Sequence, residues 1–212
     1  MAGVRVVDVE TPHGLARVHV RHADQAVGGL VLGHGAGGGV AAPDLVAVAD
    51  AAIAAQVSVG LVEQPYRVAG RRAPAPARQL DIVWTALVEH LRESELAGLP
   101  LVVGGRSLGA RVACRTAEAT GAVGVLCLAF PLRPPRRAGG EPAPSRLSEL
   151  DAVRVPLLVV QGENDRFGMP PAGALRTVVQ VPGDHALKAD VQAVAKAARE
   201  WLVGVLGATG AS

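Results

Sequence analysis

Aromatic residues are scarce in this sequence of 212 residues: Phe, Trp and Tyr together make up only 2% of it. The formal net charge is only +2, and the basic residues are spread out except for a cluster at Arg133, Arg136 and Arg137. Proteins that bind single-stranded nucleic acid stack bases on aromatic rings, and most nucleic-acid-binding proteins carry a continuous basic surface. The composition therefore argues against a nucleic-acid partner.

Cysteine is rare as well. Cys114 and Cys127 lie in apolar segments, without CxxC or histidine-rich spacing nearby. This pattern favours buried free thiols over a disulfide framework or a zinc site. We therefore expect no metal ion in this protein.

Long apolar runs are also missing. No segment approaches the roughly 20 apolar residues that cross a bilayer, and residues 1–10 lack the uninterrupted apolar core of a signal peptide. We expect a cytoplasmic protein without a membrane partner. Half of the residues are apolar and 19% are charged, which is typical of a folded chain. The length suits one domain over residues 1–212, with a frayed tail at 207–212.

Segments of strand length alternate with segments of helical periodicity. Two alternating segments, Val4–Val9 and Ala16–Val20, predict an antiparallel hairpin. Six mostly continuous apolar runs predict further strands covered on both faces: Gly29–Leu32, Val57–Val62, Pro100–Val103, Val123–Phe130, Val155–Val160 and Arg176–Val181. Apolar residues at helical spacing predict one helix over Leu80–Leu91 and another over Leu187–Val205, ending near Gly207. This order is typical of an α/β fold with a doubly wound, mostly parallel sheet.

The segment Gly105-Arg106-Ser107-Leu108-Gly109 lies between a predicted strand and a helical stretch. The Gly-x-Ser-x-Gly pattern is weak on its own in a chain with 26 glycines. Its strand–turn–helix setting is the one that a nucleophile elbow requires, because only a very tight turn lifts the hydroxyl above the sheet edge. Ser107 is therefore the candidate nucleophile, and a helix N-cap serine is the alternative.

A glycine-rich loop, Gly33-His34-Gly35-Ala36-Gly37-Gly38-Gly39, follows the first predicted parallel strand. One interpretation is a nucleotide-binding loop, since three of its glycines fit Gly-x-Gly-x-x-Gly and Glu63 ends the next strand. The other is an oxyanion loop, with the backbone N–H groups of Ala36 and Leu108 as donors. The second interpretation also accounts for Ser107. It assigns His34 a structural role, tying the loop down through its ring.

A serine nucleophile needs an imidazole base and a carboxylate that orients it. In the fold built around such an elbow, the chain order is serine, acid, histidine. His185 is the only histidine downstream of Ser107. Asp165 follows a predicted strand and is the candidate acid, with Glu163 as the alternative. Asp184 adjoins His185 in the chain, so we interpret it as a residue that stabilises the loop.

Three aromatic residues, Tyr66, Phe130 and Phe167, fall at or just after the C-terminal ends of predicted strands. Ligands of such sheets bind at this edge. The hypothesis is that they line an apolar acyl or alcohol pocket, and packing at the core edge is the alternative. Arg67 and Arg106 are candidates for contacting an anionic substrate, or else solvated surface residues.

Five motifs together resemble the α/β-hydrolase superfamily, and more narrowly its compact dienelactone-hydrolase-like branch. They are His34-Gly35-Ala36-Gly37-Gly38, Gly105-Arg106-Ser107-Leu108-Gly109-Ala110-Arg111, Phe130-Pro131-Leu132, Gln161-Gly162-Glu163-Asn164-Asp165 and Gly183-Asp184-His185-Ala186-Leu187. This branch also includes the hydrolase-like subunit of a eukaryotic histone-acetyltransferase complex. The resemblance implies an eight-stranded sheet and a Ser107–Asp165–His185 triad. Dienelactone hydrolases use cysteine at the position of Ser107, so their substrate does not carry over.

These features predict a serine hydrolase that acts on a small-molecule acyl substrate, an ester, lactone or thioester, without a cofactor. A second hypothesis is an interaction module of the same fold with little turnover. A third is acyl transfer or perhydrolysis at the same triad. The length leaves no room for a large lid, and the low-complexity segment Pro131–Pro144 is the candidate cover.

Overall fold

One eight-stranded sheet organises the protein in a computed structural model that describes residues 3–134 and 144–209. The strands are β1 (Arg5–Thr11), β2 (Gly14–Arg21), β3 (Gly28–Gly33), β4 (Val57–Glu63), β5 (Leu101–Arg106), β6 (Gly124–Leu128), β7 (Leu157–Gly162) and β8 (Arg176–Val181). The helices are α1 (Pro43–Ala54), α2 (Pro65–Val68), α3 (Ala77–Glu93), α4 (Leu108–Thr116), α5 (Leu147–Asp151) and α6 (Val191–Thr209). The spatial order of the strands is β1-β2-β4-β3-β5-β6-β7-β8.

The pairing of the strands confirms a mostly parallel sheet that begins with an antiparallel hairpin. β1 pairs with β2, and β2 with β4, in antiparallel fashion, and the other neighbours are parallel. The chain moves outward from β3 to β4 and then returns to build β5–β8 on the other side of β3. The order therefore reverses between β3 and β5, and open α/β sheets bind ligands in the crevice at such a point.

Helices cover both faces of the sheet because the strands are apolar on both. In β5, Leu101 and Val103 face the core that contains α3 and α4, whereas Val102 faces the core that contains α1 and α6. This alternation follows from the two-residue repeat of a strand. The result is the three-layered α/β architecture that the sequence predicts.

Some boundaries differ from the prediction. The helix α1 was not predicted, although its buried Leu45, Val48, Ala49 and Ala52 recur at helical spacing. The last helix begins at Val191 rather than Leu187, because Asp190 accepts a hydrogen bond from the Ala193 N–H at 2.9 Å and caps it.

Two predicted segments lie partly outside the described residues. The last helix continues to Thr209, so the predicted frayed tail is helical over 207–209, and residues 210–212 lie outside the description. The predicted cover Pro131–Pro144 is described only at its two ends, since 135–143 also lie outside. Over the described ranges, no helix is long and apolar enough to span a bilayer.

Candidate active site

Ser107 lies in the tight turn between β5 and α4, with φ 51° and ψ −102°. The turn is packed directly against the end of β3. A Cβ atom at Gly105 would lie 2.5 Å from the Gly33 carbonyl oxygen, and one at Gly109 would also collide with that oxygen. Only glycine fits at both positions, which explains the spacing seen in the sequence. The structure thus places Ser107 in the tight strand–turn–helix that a nucleophile elbow requires, beside the reversal of strand order.

The backbone of Ser107 is strained, because a positive φ costs energy in any residue with a Cβ atom. We expect Ser107→Gly to be more stable than Ser107→Ala by about 1 kcal/mol, since glycine relieves the strain but loses more entropy on folding. Urea unfolding of both variants measures the difference. Ser148 in the helix α5 is the control position. There the Ser148→Gly variant should be less stable than the Ser148→Ala variant by about 0.5–1 kcal/mol. Equal stabilities at position 107 would contradict the strain.

The three predicted triad side chains meet in one hydrogen-bonded chain. Ser107 Oγ lies 3.0 Å from His185 Nε2, and His185 Nδ1 lies 2.8 Å from Asp165 Oδ2. The Asp165 side chain is only 1% exposed and that of His185 19%. Asp165 follows β7 and His185 follows β8, so the parallel sheet delivers all three residues to its C-terminal edge.

The Asp165 carboxylate is held by donors on both oxygens. Its Oδ1 accepts the Phe167 N–H at 2.9 Å, and its Oδ2 accepts the side-chain amide of Gln161 at 2.8 Å as well as His185. The contact from the Phe167 N–H closes an Asx turn, which coexists with the contact to His185. Gln161 is fully buried, and its Nε2 also donates to the carbonyls of Phe130 and Gly168, each at 3.0 Å. Gln161 was not predicted as a site residue.

We expect Gln161→Leu to lower both stability and activity. The change leaves the half-buried Gly168 carbonyl without its donor, and it removes one of two donors from both the Phe130 carbonyl and Asp165 Oδ2. An unsatisfied group costs about 1–3 kcal/mol. We therefore expect the free energy of unfolding, measured with urea, to fall by about 1–3 kcal/mol, and kcat/KM to decrease by about tenfold or more. Gln180→Leu, on the neighbouring strand β8 but exposed, is the matched control. Unchanged stability of Gln161→Leu would contradict this role.

The glycine-rich loop packs directly against Ser107. A Cβ atom at Gly35 would lie 3.7 Å from that of Ser107. The His34 ring, which is buried, bridges the loop: its Nδ1 lies 2.8 Å from the Gly35 carbonyl, and its Nε2 accepts the Gln64 N–H at 3.3 Å. Burial lowers the pKa of His34, which favours the neutral ring that this pairing needs. The ring therefore has the structural role expected of it.

The two predicted oxyanion donors belong to segments next to Ser107: Leu108 follows it in the chain, and Ala36 lies in the loop that packs against it. Leu108 is the first residue of α4, where a helix leaves its N–H groups without intrahelical acceptors. Ala36 follows Gly35 in the loop, and its carbonyl accepts the Tyr66 hydroxyl at 3.1 Å. That contact fixes the peptide plane on the C-terminal side of Ala36. Glu63, the ribose-binding candidate of the nucleotide interpretation, instead lies 3.0 Å from His19 on β2.

Arg106, which precedes Ser107, is neither a solvated surface residue nor free to bind an anion, because protein groups already occupy its guanidinium. Its Nε lies 2.9 Å from Asp44 at the start of α1, and its Nη2 donates to the His185 carbonyl at 2.9 Å. Asp44 is almost fully buried, which raises the pKa of its carboxyl, and the Arg106 cation opposes that shift. The pair thus joins α1, the elbow and the histidine loop.

We expect Arg106→Leu to destabilise the protein most at neutral and alkaline pH. A carboxyl whose pKa is raised by folding favours the folded state while protonated, and this contribution is lost as the pH rises through the folded pKa. Removing Arg106 strengthens this effect at Asp44. Urea unfolding should therefore show a loss of about 3 kcal/mol at pH 8 that shrinks by pH 5. In the double variant Asp44→Asn/Arg106→Leu, the loss of stability should no longer differ between pH 8 and pH 5. An equal loss at both pH values in Arg106→Leu itself would contradict this explanation.

The predicted pocket residues differ in what they can contact. The Phe167 ring packs edgewise on His185, with centroids 4.4 Å apart, beside the hydrogen-bonded chain. The Phe130 side chain has no exposed surface and packs in the core, so the alternative of core packing describes it. Tyr66 is 5% exposed, and its hydroxyl contacts the glycine-rich loop. Arg67 is half-buried rather than freely solvated.

The remaining acids near the site do not contact His185 through their side chains. Glu163, the alternative acid, is exposed, and Asp184 accepts the Ala186 N–H at 2.9 Å, as expected of a loop-stabilising residue.

Cys114 and Cys127 are free and buried, with their sulfurs 3.4 Å apart. Within residues 3–134 and 144–209, no group of three His, Cys, Asp or Glu side chains is arranged to hold a metal ion.

Solved structures with this arrangement of strands and helices come from several bacteria. Est1E from Butyrivibrio proteoclasticus, with ferulic acid bound, has a TM-score of 0.76 at 13% identity, covering 95% of this chain and 99% of that one. Dienelactone hydrolase from Anabaena variabilis has a TM-score of 0.75 at 17% identity, covering 96% and 98%. A serine hydrolase without a lid from Xanthomonas campestris has a TM-score of 0.68 at 20% identity, covering 94% and 95%. At such identities the likeness shows the fold.

No curated protein matches the sequence at a significant level. A family model described as an alpha/beta hydrolase domain matches residues 26–200, which include the glycine-rich loop, the elbow and all three members of the hydrogen-bonded chain. Because this match spans most of the sequence, the protein belongs to the α/β-hydrolase family.

Proposed function

We propose that this protein is a serine hydrolase that cleaves a small ester, lactone or thioester. The proposal depends on one observation, the continuous hydrogen-bonded chain from Ser107 Oγ through His185 to Asp165. A buried carboxylate, an imidazole and a hydroxyl in this order are the parts that acyl transfer requires. A strained serine 3.0 Å from the ring nitrogen of a histidine is the geometry that an activated nucleophile requires.

Acylation begins with the neutral His185 ring. Its Nδ1–H donates to Asp165, which leaves Nε2 as the acceptor for the Ser107 hydroxyl proton. Ser107 Oγ attacks the substrate carbonyl as His185 takes that proton, and Asp165 stabilises the resulting imidazolium. The imidazolium then protonates the leaving alcohol or thiol, so that the tetrahedral intermediate collapses to an ester on Ser107.

The negative charge of the tetrahedral intermediate falls beside the N–H groups of Leu108 and Ala36, which are the proposed oxyanion donors. One such donor contributes about a hundred- to a thousand-fold in rate. Deacylation repeats the sequence with water as the nucleophile and His185 as the base. The mechanism uses only side chains, backbone N–H groups and water.

Labelling with a fluorophosphonate probe tests the proposal directly. We expect one label on Ser107, and we expect it to be lost in Ser107→Ala and strongly slowed in His185→Ala. Turnover of p-nitrophenyl esters and acyl thioesters of increasing chain length then defines the substrate class. Alcohols or hydrogen peroxide as competing nucleophiles separate hydrolysis from acyl transfer and perhydrolysis. A folded protein whose Ser107 stays unlabelled would contradict the proposal and favour the interaction module.

A further inference from the structure

A cavity of about 390 Å³ lies outside the proposed catalytic centre, between the β1–β2 turn, α2 and the first turns of α3. Its lining residues do not include Ser107, Asp165 or His185. One side is closed by the β1–β2 turn, where Gly14 packs towards Pro65 of α2. The volume falls in the range that small-molecule sites occupy.

The inner wall of this cavity is apolar and buried. It consists of the Tyr66 ring, Leu80 and Val83, whose exposed fractions are 5%, 2% and 2%. These residues come from α2 and α3 and belong to the same hydrophobic core. The cavity therefore offers a ligand an apolar surface that water solvates poorly.

Of the polar side chains that line the cavity, only that of Gln64 is buried in this apolar wall. Gln64 lines the cavity and is 5% exposed, and its side-chain oxygen is buried without a hydrogen-bond partner in the described part of the chain. Its backbone N–H is already committed to His34. A buried amide oxygen without a donor is costly, and a ligand hydroxyl that donates to it would remove that cost.

The outer rim of the cavity is cationic. Arg71 is exposed there, and no acidic side chain in the described residues forms an ion pair with it. His13 of the β1–β2 turn lies on the same rim. None of the described lining residues is acidic. The rim therefore favours an anion over a cation or a neutral group.

From this arrangement we infer that the cavity binds a small amphipathic carboxylate, separately from the catalytic centre. The apolar body of the ligand packs against Tyr66, Leu80 and Val83. A hydroxyl at its inner end donates to the Gln64 side-chain oxygen, and its carboxylate lies at the rim beside Arg71. This binding site does not depend on turnover at Ser107.

Sodium 3-(4-hydroxyphenyl)propanoate is the probe that combines these three features. In an amide-proton NMR titration of the full chain up to about 5 mM, which detects dissociation constants in the millimolar range, we expect saturable shifts. They should centre on residues 13–15, 64–71 and 79–83, and not on 105–109 and 183–187. The same titration on Ser107→Ala should give the same dissociation constant.

Two matched ligands test the polar contacts. 3-Phenylpropanoate, which lacks the hydroxyl, should bind about fivefold more weakly than the probe. In Gln64→Leu, the two ligands should bind equally well. The uncharged 3-(4-hydroxyphenyl)propanamide should bind about two- to fivefold more weakly than the acid, since the Arg71 cation is exposed. Arg71→Gln should abolish this second difference, whereas Arg72→Gln, at the neighbouring exposed arginine, should preserve it.

A third variant avoids any change to buried residues. Ala69 is exposed at the cavity edge, and Ala69→Trp should block entry and weaken binding of the probe by about tenfold or more. The inference is overturned if the probe causes no saturable shifts. It is equally overturned if the shifts centre on Ser107 and His185, or if they persist unchanged in Ala69→Trp.

Discussion

Ser107→Ala and His185→Ala should each lower kcat/KM for p-nitrophenyl acetate by about four to six orders of magnitude. The reason is that Oγ and Nε2 act as one unit, 3.0 Å apart, so the loss of either removes the activated nucleophile. The double variant should for the same reason be no worse than either single variant. The steady-state kcat/KM of each variant is compared with that of the wild type, and burst-phase measurements on the wild type separate acylation from deacylation.

Ser148→Ala is the control for the serine substitution, because Ser148 lies exposed on α5, away from the hydrogen-bonded chain. Its activity should equal that of the wild type. Thermal unfolding of Ser107→Ala should show a folded protein, so that the lost rate reports on chemistry. A folded Ser107→Ala that retains more than about one thousandth of the wild-type rate would refute the assignment of the nucleophile.

Asp165→Asn has the second largest expected effect, a decrease in kcat of about a thousand- to ten-thousand-fold. Every group around the carboxylate is a donor: the Phe167 N–H at Oδ1, and Gln161 and His185 at Oδ2. An asparagine must therefore turn its own NH₂ towards one of these donors. If it faces His185, it favours the tautomer with the proton on Nε2, which cannot accept the Ser107 proton.

Glu163→Gln is the matched control, since Glu163 occupies the same turn but is exposed. The same neutralisation of a carboxylate should leave kcat within about twofold, because solvated surface charges contribute little. If instead Glu163→Gln were the inactive variant and Asp165→Asn the active one, the acid would be misassigned.

The hydrogen-bonded arrangement of Ser107, His185 and Asp165 could be predicted from the sequence because each of these residues lies in a recognisable local pattern. Glycines at 105 and 109 are forced by contact with Gly33, and His185 is the only histidine after Ser107. The parallel strands then bring the ends of β5, β7 and β8 to one edge, so that residues 78 positions apart in sequence become neighbours. The eight-stranded fold could be predicted for the same reason, since most of its strands are continuous apolar runs.

The residues that hold these three side chains in place could not be predicted, because their contacts depend on side-chain directions that no short sequence pattern encodes. Gln161 reads as the end of a strand, yet its amide joins Asp165 to two backbone carbonyls. The sequence alone favours a surface position for Arg106. Its partner Asp44 lies in α1, a helix that was not predicted, so the ion pair could not be predicted either. Phe130 sits at a strand end, but its ring turns into the core.

The backbone angles of Ser107 bear on why the chain carries a serine there at all. Glycine would satisfy the turn at lower energy, and most proteins lie only a few kcal/mol above the stability they need. A chain that used this fold only as a binding platform would gain stability by giving up the hydroxyl, with nothing lost. A serine at φ 51° is therefore energetically unfavourable, and a reactive hydroxyl gives a reason for it, which supports the proposed enzyme over the interaction module.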